Sequence, residues 1–206
     1  EAMLRQSGKE THHFSEPFLY YFARMLSGVD GVSIGVSIRD SLKVLHKLGV
    51  ARSKTWNYID YEPDSKSIRE AGEYKIHSYL KIKKDLHELC SALSFGNPII
   101  FGFNVSDNTF TTQSKTPTDT IGTMCGVLVG FDEEIRKFLV RLSWGSEFGL
   151  EGHCMLDYDY VISGNCNDFW TITLGIPKKT KKVHFTECMI DSSDESDADA
   201  DNETTI

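Results

Sequence analysis

The chain has 206 residues, of which 40% are hydrophobic and 11% aromatic, enough to bury one sizeable core or two small ones. Its formal net charge is -8, but residues 191–206 hold seven acidic residues and no Lys or Arg. Positions 1–190 therefore carry 22 basic against 23 acidic residues. This near-neutral body argues against a nucleic-acid partner.

The five cysteines are an odd number and include no Cys-x-x-Cys pair, which predicts a reducing, intracellular compartment, cytoplasmic or nuclear, with a virion as an alternative, rather than secretion. No apolar run approaches the length of a membrane span, so we predict no membrane association. The pairs His12-His13 and His153-Cys154 lack further ligands at metal spacing. We therefore predict neither a metal nor another cofactor.

Two amphipathic helices are predicted in the first third of the chain. Over residues 15–26, apolar side chains recur at helical spacing and Pro17 stands in the first turn. The second helix begins after Ser37, which can cap it, and ends at Gly49; its apolar face is formed by Ile38, Leu42, Leu45 and Leu48.

The pattern then changes from helices to strands. Residues 60–73 are rich in charge and predict a polar linker, residues 74–80 alternate as a half-buried strand, and residues 85–95 predict a helix. Further strands are predicted over residues 99–105, 127–131, 138–142 and 169–174. Helices followed by a mostly antiparallel sheet indicate an α+β fold.

Two neighbouring stretches carry the most information. Residues 122–132 read GTMCGVLVGFD, and residues 138–152 read FLVRLSWGSEFGLEG. Together they resemble the papain-like cysteine peptidase family, in which a strand with the catalytic His (G-H-A-V-L-x-V-G-Y-D) precedes a strand ending N-S-W-G-x-x-W-G-x-x-G. The resemblance implies the papain-like cysteine proteinase fold, a helical lobe packed on an antiparallel, barrel-like lobe.

The resemblance extends over about residues 1–173 and is closest to bacterial and viral members. It is also carried by residues 14–26, 36–42, 56–58, 158–161 and 168–172. In that register the chain starts after the nucleophilic Cys and the oxyanion-hole Gln, so we expect both to be missing. The implied organisation is a truncated remnant of the helical lobe in 1–60, a β-rich lobe in 61–176 and a disordered tail in 177–206.

The family's remaining catalytic positions are also changed. Counting back from Phe131 without a gap places Met124 at the His position, and one deletion places Cys125 there; Leu142 stands at the Asn position. A thioether cannot move a proton, and an unperturbed thiol has a pKa of about 8.5. Cys125 is either a buried, inert thiol or a relocated nucleophile. Trp144, which shields the His–Asn pair in the family, is predicted to serve packing.

The predicted tail changes from basic to acidic. Residues 177–183 resemble a nuclear localisation signal, and Lys182, Val183 and Phe185 match the docking motif for protein phosphatase 1. Three serines lie among acidic residues and are candidate phosphorylation sites: Ser192, Ser193 and Ser196.

These features together favour an inactive papain-like pseudopeptidase that acts as a structural or protein-interaction module. One alternative is part of a cysteine endopeptidase whose nucleophile lies upstream of this chain. Another is an adaptor that recruits protein phosphatase 1 through residues 182–185. We expect a protein or peptide partner, and an oligomer or a partner is expected to cover the truncated lobe.

Overall fold

The computed structural model describes residues 3–4, 8, 10–28, 35–59, 61–106, 109 and 122–174. Within these ranges the helices are α1 (Glu16–Ser27), α2 (Ile38–Lys47), α3 (Ser65–Ala71), α4 (Leu86–Ser94) and α5 (Tyr158–Ile162). The strands are β1 (Ser78–Lys81), β2 (Ile99–Val105), β3 (Gly122–Asp132), β4 (Lys137–Arg141), β5 (His153–Asp157) and β6 (Cys166–Thr173). This arrangement confirms the predicted α+β class.

The strands form one six-stranded sheet in the order β1-β6-β2-β3-β4-β5. Antiparallel pairs join β6 to β2, β2 to β3, β3 to β4 and β4 to β5. Alternate residues of β2 are buried, because successive side chains of a strand point to opposite faces. One face of the sheet therefore supplies a continuous core whose largest members include Phe101, Phe103, Phe138, Leu156 and Phe169.

The described residues divide into two compact units, one formed by those within 3–79 together with 173–174 and the other by those within 80–172. The first has its own core of buried residues around Phe18, Ala51 and Trp56. The second contains the sheet core. The lobe boundary predicted near residue 60 stays a prediction, since a division by contacts need not follow a family lobe.

Side-chain caps define the starts of the helices. The Ser15 hydroxyl accepts the Phe18 N–H at 3.1 Å before α1, and the Ser37 hydroxyl accepts the Asp40 N–H at 3.0 Å before α2. Each cap satisfies one of the amide groups that the first turn of a helix leaves without a partner. After α2, Gly49 has a φ of 92°, a conformation that favours glycine.

Two of the sequence-based assignments were wrong. The predicted linker over residues 60–73 contains helix α3, which is capped by Asp64 and buries Ser67 and Ala71. The strand predicted from residue 74 begins only at Ser78, because the Ile76 N–H donates to the Leu45 carbonyl outside the sheet.

No helix in the described ranges combines the length and the apolar character that a bilayer crossing requires.

Candidate functional site

Met124 lies on the core side of the sheet. It stands in β3 opposite Phe103 of β2, is half-buried and packs against the sheet core. Gly126, two residues further along β3, faces the same side, because a Cβ built there would lie 3.1 Å from Val140 Cγ1 and 3.3 Å from Leu142 Cδ2.

Leu142 follows the last residue of β4 and belongs to the same hydrophobic core. Its side chain is only 4% exposed, and its N–H donates to the Gly152 carbonyl at 3.1 Å. Met124 and Leu142 therefore share one face of neighbouring strands. Neither side chain can accept or release a proton near neutral pH.

Cys125 points to the opposite face. It pairs with Gly102 of β2, which in turn pairs with Asn167 of β6. Part of the Cys125 side chain is exposed, yet burial by surrounding protein, and secondarily the charge of Asp168, raise the pKa of its thiol to about 11. At neutral pH only about one thiol in ten thousand would be ionised.

Asp168 was not anticipated from the sequence. It has a φ of 57°, and its Oδ1 accepts the Trp170 Nε1–H at 2.6 Å. Asp tolerates this left-handed conformation better than most residues do. No local sequence pattern predicts such a conformation within a strand. Its carboxylate opposes ionisation of Cys125 instead of promoting it.

The other described thiols are also protected from ionisation. Burial raises the pKa of Cys90, that of Cys154 to about 11 and that of Cys166 to about 12. An activated cysteine nucleophile needs a lowered pKa or an adjacent base. Burial has the opposite effect on these thiols, because it raises their pKa.

His153 is the histidine of the sheet, and it does not adjoin Cys125. It lies on β5 and pairs with Arg141 of β4, and strand β4 separates β5 from β3. Its Nδ1 lies 3.1 Å from the carbonyl oxygens of both Leu150 and Glu151. The imidazole therefore makes hydrogen-bond contacts with the loop that precedes β5.

The described ranges contain no group of three or more His, Cys, Asp or Glu side chains placed to hold an ion. The ring of His12 instead packs edge-on against Tyr74 at 5.4 Å.

Residues 142–152 form a tight loop between β4 and β5. Trp144 is 44% exposed, and its ring meets Phe148 edge-on at 4.6 Å. The Gly152 N–H donates to the Phe148 carbonyl at 2.7 Å. At Gly149, with a φ of 57°, a Cβ would lie 2.2 Å from the His153 carbonyl oxygen, so the loop requires glycine there.

Known proteins resemble this chain in both sequence and fold. No family model matches it. An uncharacterized peptidase C1-like protein of Acanthamoeba polyphaga mimivirus is 32% identical, over 83% of this chain and 62% of that protein. The crystal structure of xylellain, a cysteine protease from Xylella fastidiosa, matches with a TM-score of 0.77 and 30% identity, over 84% of this chain and 75% of xylellain. The chain belongs to the papain-like C1 peptidase family.

More distant papain-like structures agree in fold alone. Procathepsin L 3 of Tenebrio molitor matches with a TM-score of 0.61 and 16% identity, over 84% of this chain and 59% of that one. The proform of the ragweed pollen cysteine protease Amb a 11 has a TM-score of 0.65 and 19% identity, over 84% and 55%. The chain spans 62% of the length of the viral C1-like relative.

Membership of the papain-like family makes the positions of Met124 and Leu142 relevant to catalysis. From the sequence we predicted that Met124, in an ungapped register, or Cys125, with one deletion, replaces the family's His and that Leu142 replaces its Asn, and this correspondence stays a prediction. The structure brings these two side chains into one core and turns Cys125 away from it. The tail residues singled out in the sequence lie outside the described residues, and their roles stay predictions: Lys182, Val183, Phe185, Ser192, Ser193 and Ser196.

Proposed function

We propose that this chain is a papain-like pseudopeptidase that has no hydrolytic chemistry of its own and acts as a structural or protein-interaction module. The observation that supports the proposal is the shared apolar face of Met124 and Leu142, the two positions at which we predicted from the sequence that the family has a proton-transferring imidazole and the amide that orients it.

The chemistry of the family explains why this matters. Peptide hydrolysis by a cysteine enzyme needs a thiolate, a base that takes its proton and later protonates the leaving amine, and a group that orients the base. A Met thioether has no proton to exchange, and a Leu side chain accepts no hydrogen bond. The raised pKa of Cys125 also disfavours that thiol as a replacement nucleophile.

A direct test combines a fluorogenic peptide substrate with a peptidyl epoxide that labels activated cysteines, with xylellain as the positive control. We expect no hydrolysis above buffer and no labelling of the folded chain. Hydrolysis that Cys125→Ala abolishes and Cys154→Ala preserves would overturn the proposal. Circular dichroism of each variant confirms that it is folded.

A second candidate is a longer cysteine endopeptidase of which this chain is a part. It is favoured by the coverage of 62% of the viral relative, which has further residues of its own. The same assay applied to a longer form of the protein separates the candidates. Hydrolysis in that form alone supports the endopeptidase, and its absence supports the pseudopeptidase.

A further inference from the structure

An exposed aromatic surface lies in the first compact unit, whereas Met124, Cys125 and Leu142 belong to the second. Trp56, Tyr58, Tyr61 and Glu62 line an open recess of about 430 Å³, which we call the aromatic recess. Trp56 is 8% exposed, whereas Tyr58 is 57% and Tyr61 68% exposed. The Trp56 side chain is therefore buried in the protein, and the two tyrosine side chains are exposed to solvent.

The rings stand nearly at right angles to one another. The centroids of Trp56 and Tyr58 are 5.0 Å apart with an interplanar angle of 73°, and those of Tyr58 and Tyr61 are 6.0 Å apart at 84°. Rings at these angles do not make one flat stacking platform, and all three line the recess. The negative π-face of an aromatic ring attracts a cation.

Glu62 adds a full negative charge to this recess. Among the described residues it takes part in no ion pair. Its charge also reaches Tyr21 on α1: partial burial and then the Glu62 carboxylate raise the pKa of that phenol. A carboxylate that has no ion-pair partner in the described part of the chain and lies beside three aromatic rings complements an organic cation and disfavours an anionic or purely apolar ligand.

We propose that the aromatic recess binds the ammonium group of a lysine side chain on a partner polypeptide. A compact ammonium fits between perpendicular rings, whereas a planar guanidinium stacks best on a single ring. Ile59, the residue after Tyr58, is 75% exposed, so its apolar surface is available to the methylene stem of a lysine. The inference names the chemistry of a partner, so it rests on the proposed interaction role.

The test titrates the folded chain with a short, flexible peptide that contains one lysine and with the same peptide carrying Nε-acetyl-lysine. Ring signals of Tyr58 and Tyr61 in NMR spectra report occupancy. We expect the lysine peptide to bind at least about tenfold more tightly than the acetylated peptide, because acetylation removes the charge. Equal affinity for the two peptides, or no binding of either, would overturn the proposal.

Matched variants locate the binding surface. Tyr61→Ala should weaken lysine-peptide binding about three- to tenfold, and Tyr61→Phe, which keeps the ring, should leave it nearly unchanged. Glu62→Gln should weaken binding, while Glu133→Gln, an exposed carboxylate of the other unit, should not. If Tyr61→Ala and Glu62→Gln both bind as the parent does, the recess is not the site. None of these variants alters the hydrolysis assay, so the two proposals fail separately.

Discussion

Arg52 donates hydrogen bonds to the Glu70 carboxylate from both its side chain and its backbone. The Arg52 Nε–H donates to Glu70 Oε1 at 2.7 Å, and the Arg52 backbone N–H donates to Glu70 Oε2 at 3.1 Å. Glu70 lies on α3, whereas Arg52 follows α2 and forms an isolated bridge with Phe14. The carboxylate thus links α3 to the segment after α2, and that segment pairs in turn with Phe14.

This pair predicts a specific loss of stability in acid. Burial opposes the charge of Glu70, but hydrogen bonds from Arg52 and Thr55 outweigh it and lower the pKa of Glu70. A lowered folded-state pKa gives stability that is present above the unfolded-state value, about 4.3, and lost as the pH falls through the folded-state value. Glu70→Gln should therefore be less stable than the parent at neutral pH, with a gap that narrows in acid.

Urea denaturation across a series of pH values measures this gap. Glu134→Gln, which removes an exposed carboxylate in the turn after β3, provides the control and should stay close to the parent throughout. A gap for Glu70→Gln that is constant with pH would mean that the carboxylate charge does not matter.

The shared face of Met124 and Leu142 predicts energetic coupling between His and Asn placed there. Leu142→Asn alone buries an amide without a partner and should lower the free energy of unfolding by about 2–4 kcal/mol. In the Met124→His background the imidazole can supply that partner, so part of the loss, about 1 kcal/mol, should be recovered. Urea unfolding of the four proteins of the cycle measures the coupling.

Cys125→His is the matched control for this cycle. Its imidazole would point to the opposite face of β3, so Cys125→His should show no energetic coupling with Leu142→Asn. Equal coupling for both histidines would show that the two positions are not distinguished by the face they occupy.

The raised pKa of Cys125 predicts slow reaction with iodoacetamide at neutral pH. Because only the thiolate reacts, the rate of Cys125 modification should rise about tenfold per pH unit until the pH nears 11. Mass spectrometry of the peptide that contains Cys125 measures the rate. A rate that levels off below pH 8 would reveal an activated thiol and contradict the structure.

The loop after β4 predicts unequal effects of two glycine substitutions. Gly145 has a φ of 84° but open space around its Cα, so Gly145→Ala should cost only the backbone strain, about 1–2 kcal/mol. Gly149→Ala adds a collision with the His153 carbonyl and should be clearly more destabilising. Thermal unfolding compares the two, and equal losses would argue against this loop conformation.

The sequence predicted the long, strongly patterned elements well. Capping residues and periodic apolar faces located α1 and α2, and a short, strongly apolar run located β2. Helix α3 was missed because its charged residues resemble a linker, although Asp64 and the buried Ala71 mark its ends. Strand β5 was missed because only one of its five residues, Leu156, is fully buried, which leaves too little alternation to predict a strand.

At the candidate site, sequence counting left Met124 and Cys125 as alternatives. A shift of one residue in a strand exchanges its two faces, so the choice depends on strand register. The pairing of β2 with β3, together with the contacts around Gly126, places Met124 on the side of Leu142. Register depends on contacts between residues distant in sequence, which no local pattern specifies.

The steric restriction at Gly149 explains the glycine by the shape of the loop, without reference to catalysis. Since a methyl group there would strike the main chain of the next strand, glycine is required by shape whether or not any bond is ever cut. A search that recognises peptidases by this glycine-rich stretch therefore detects a loop conformation between two strands. Whether a given protein still cleaves its substrates has to be judged from the residues that transfer protons.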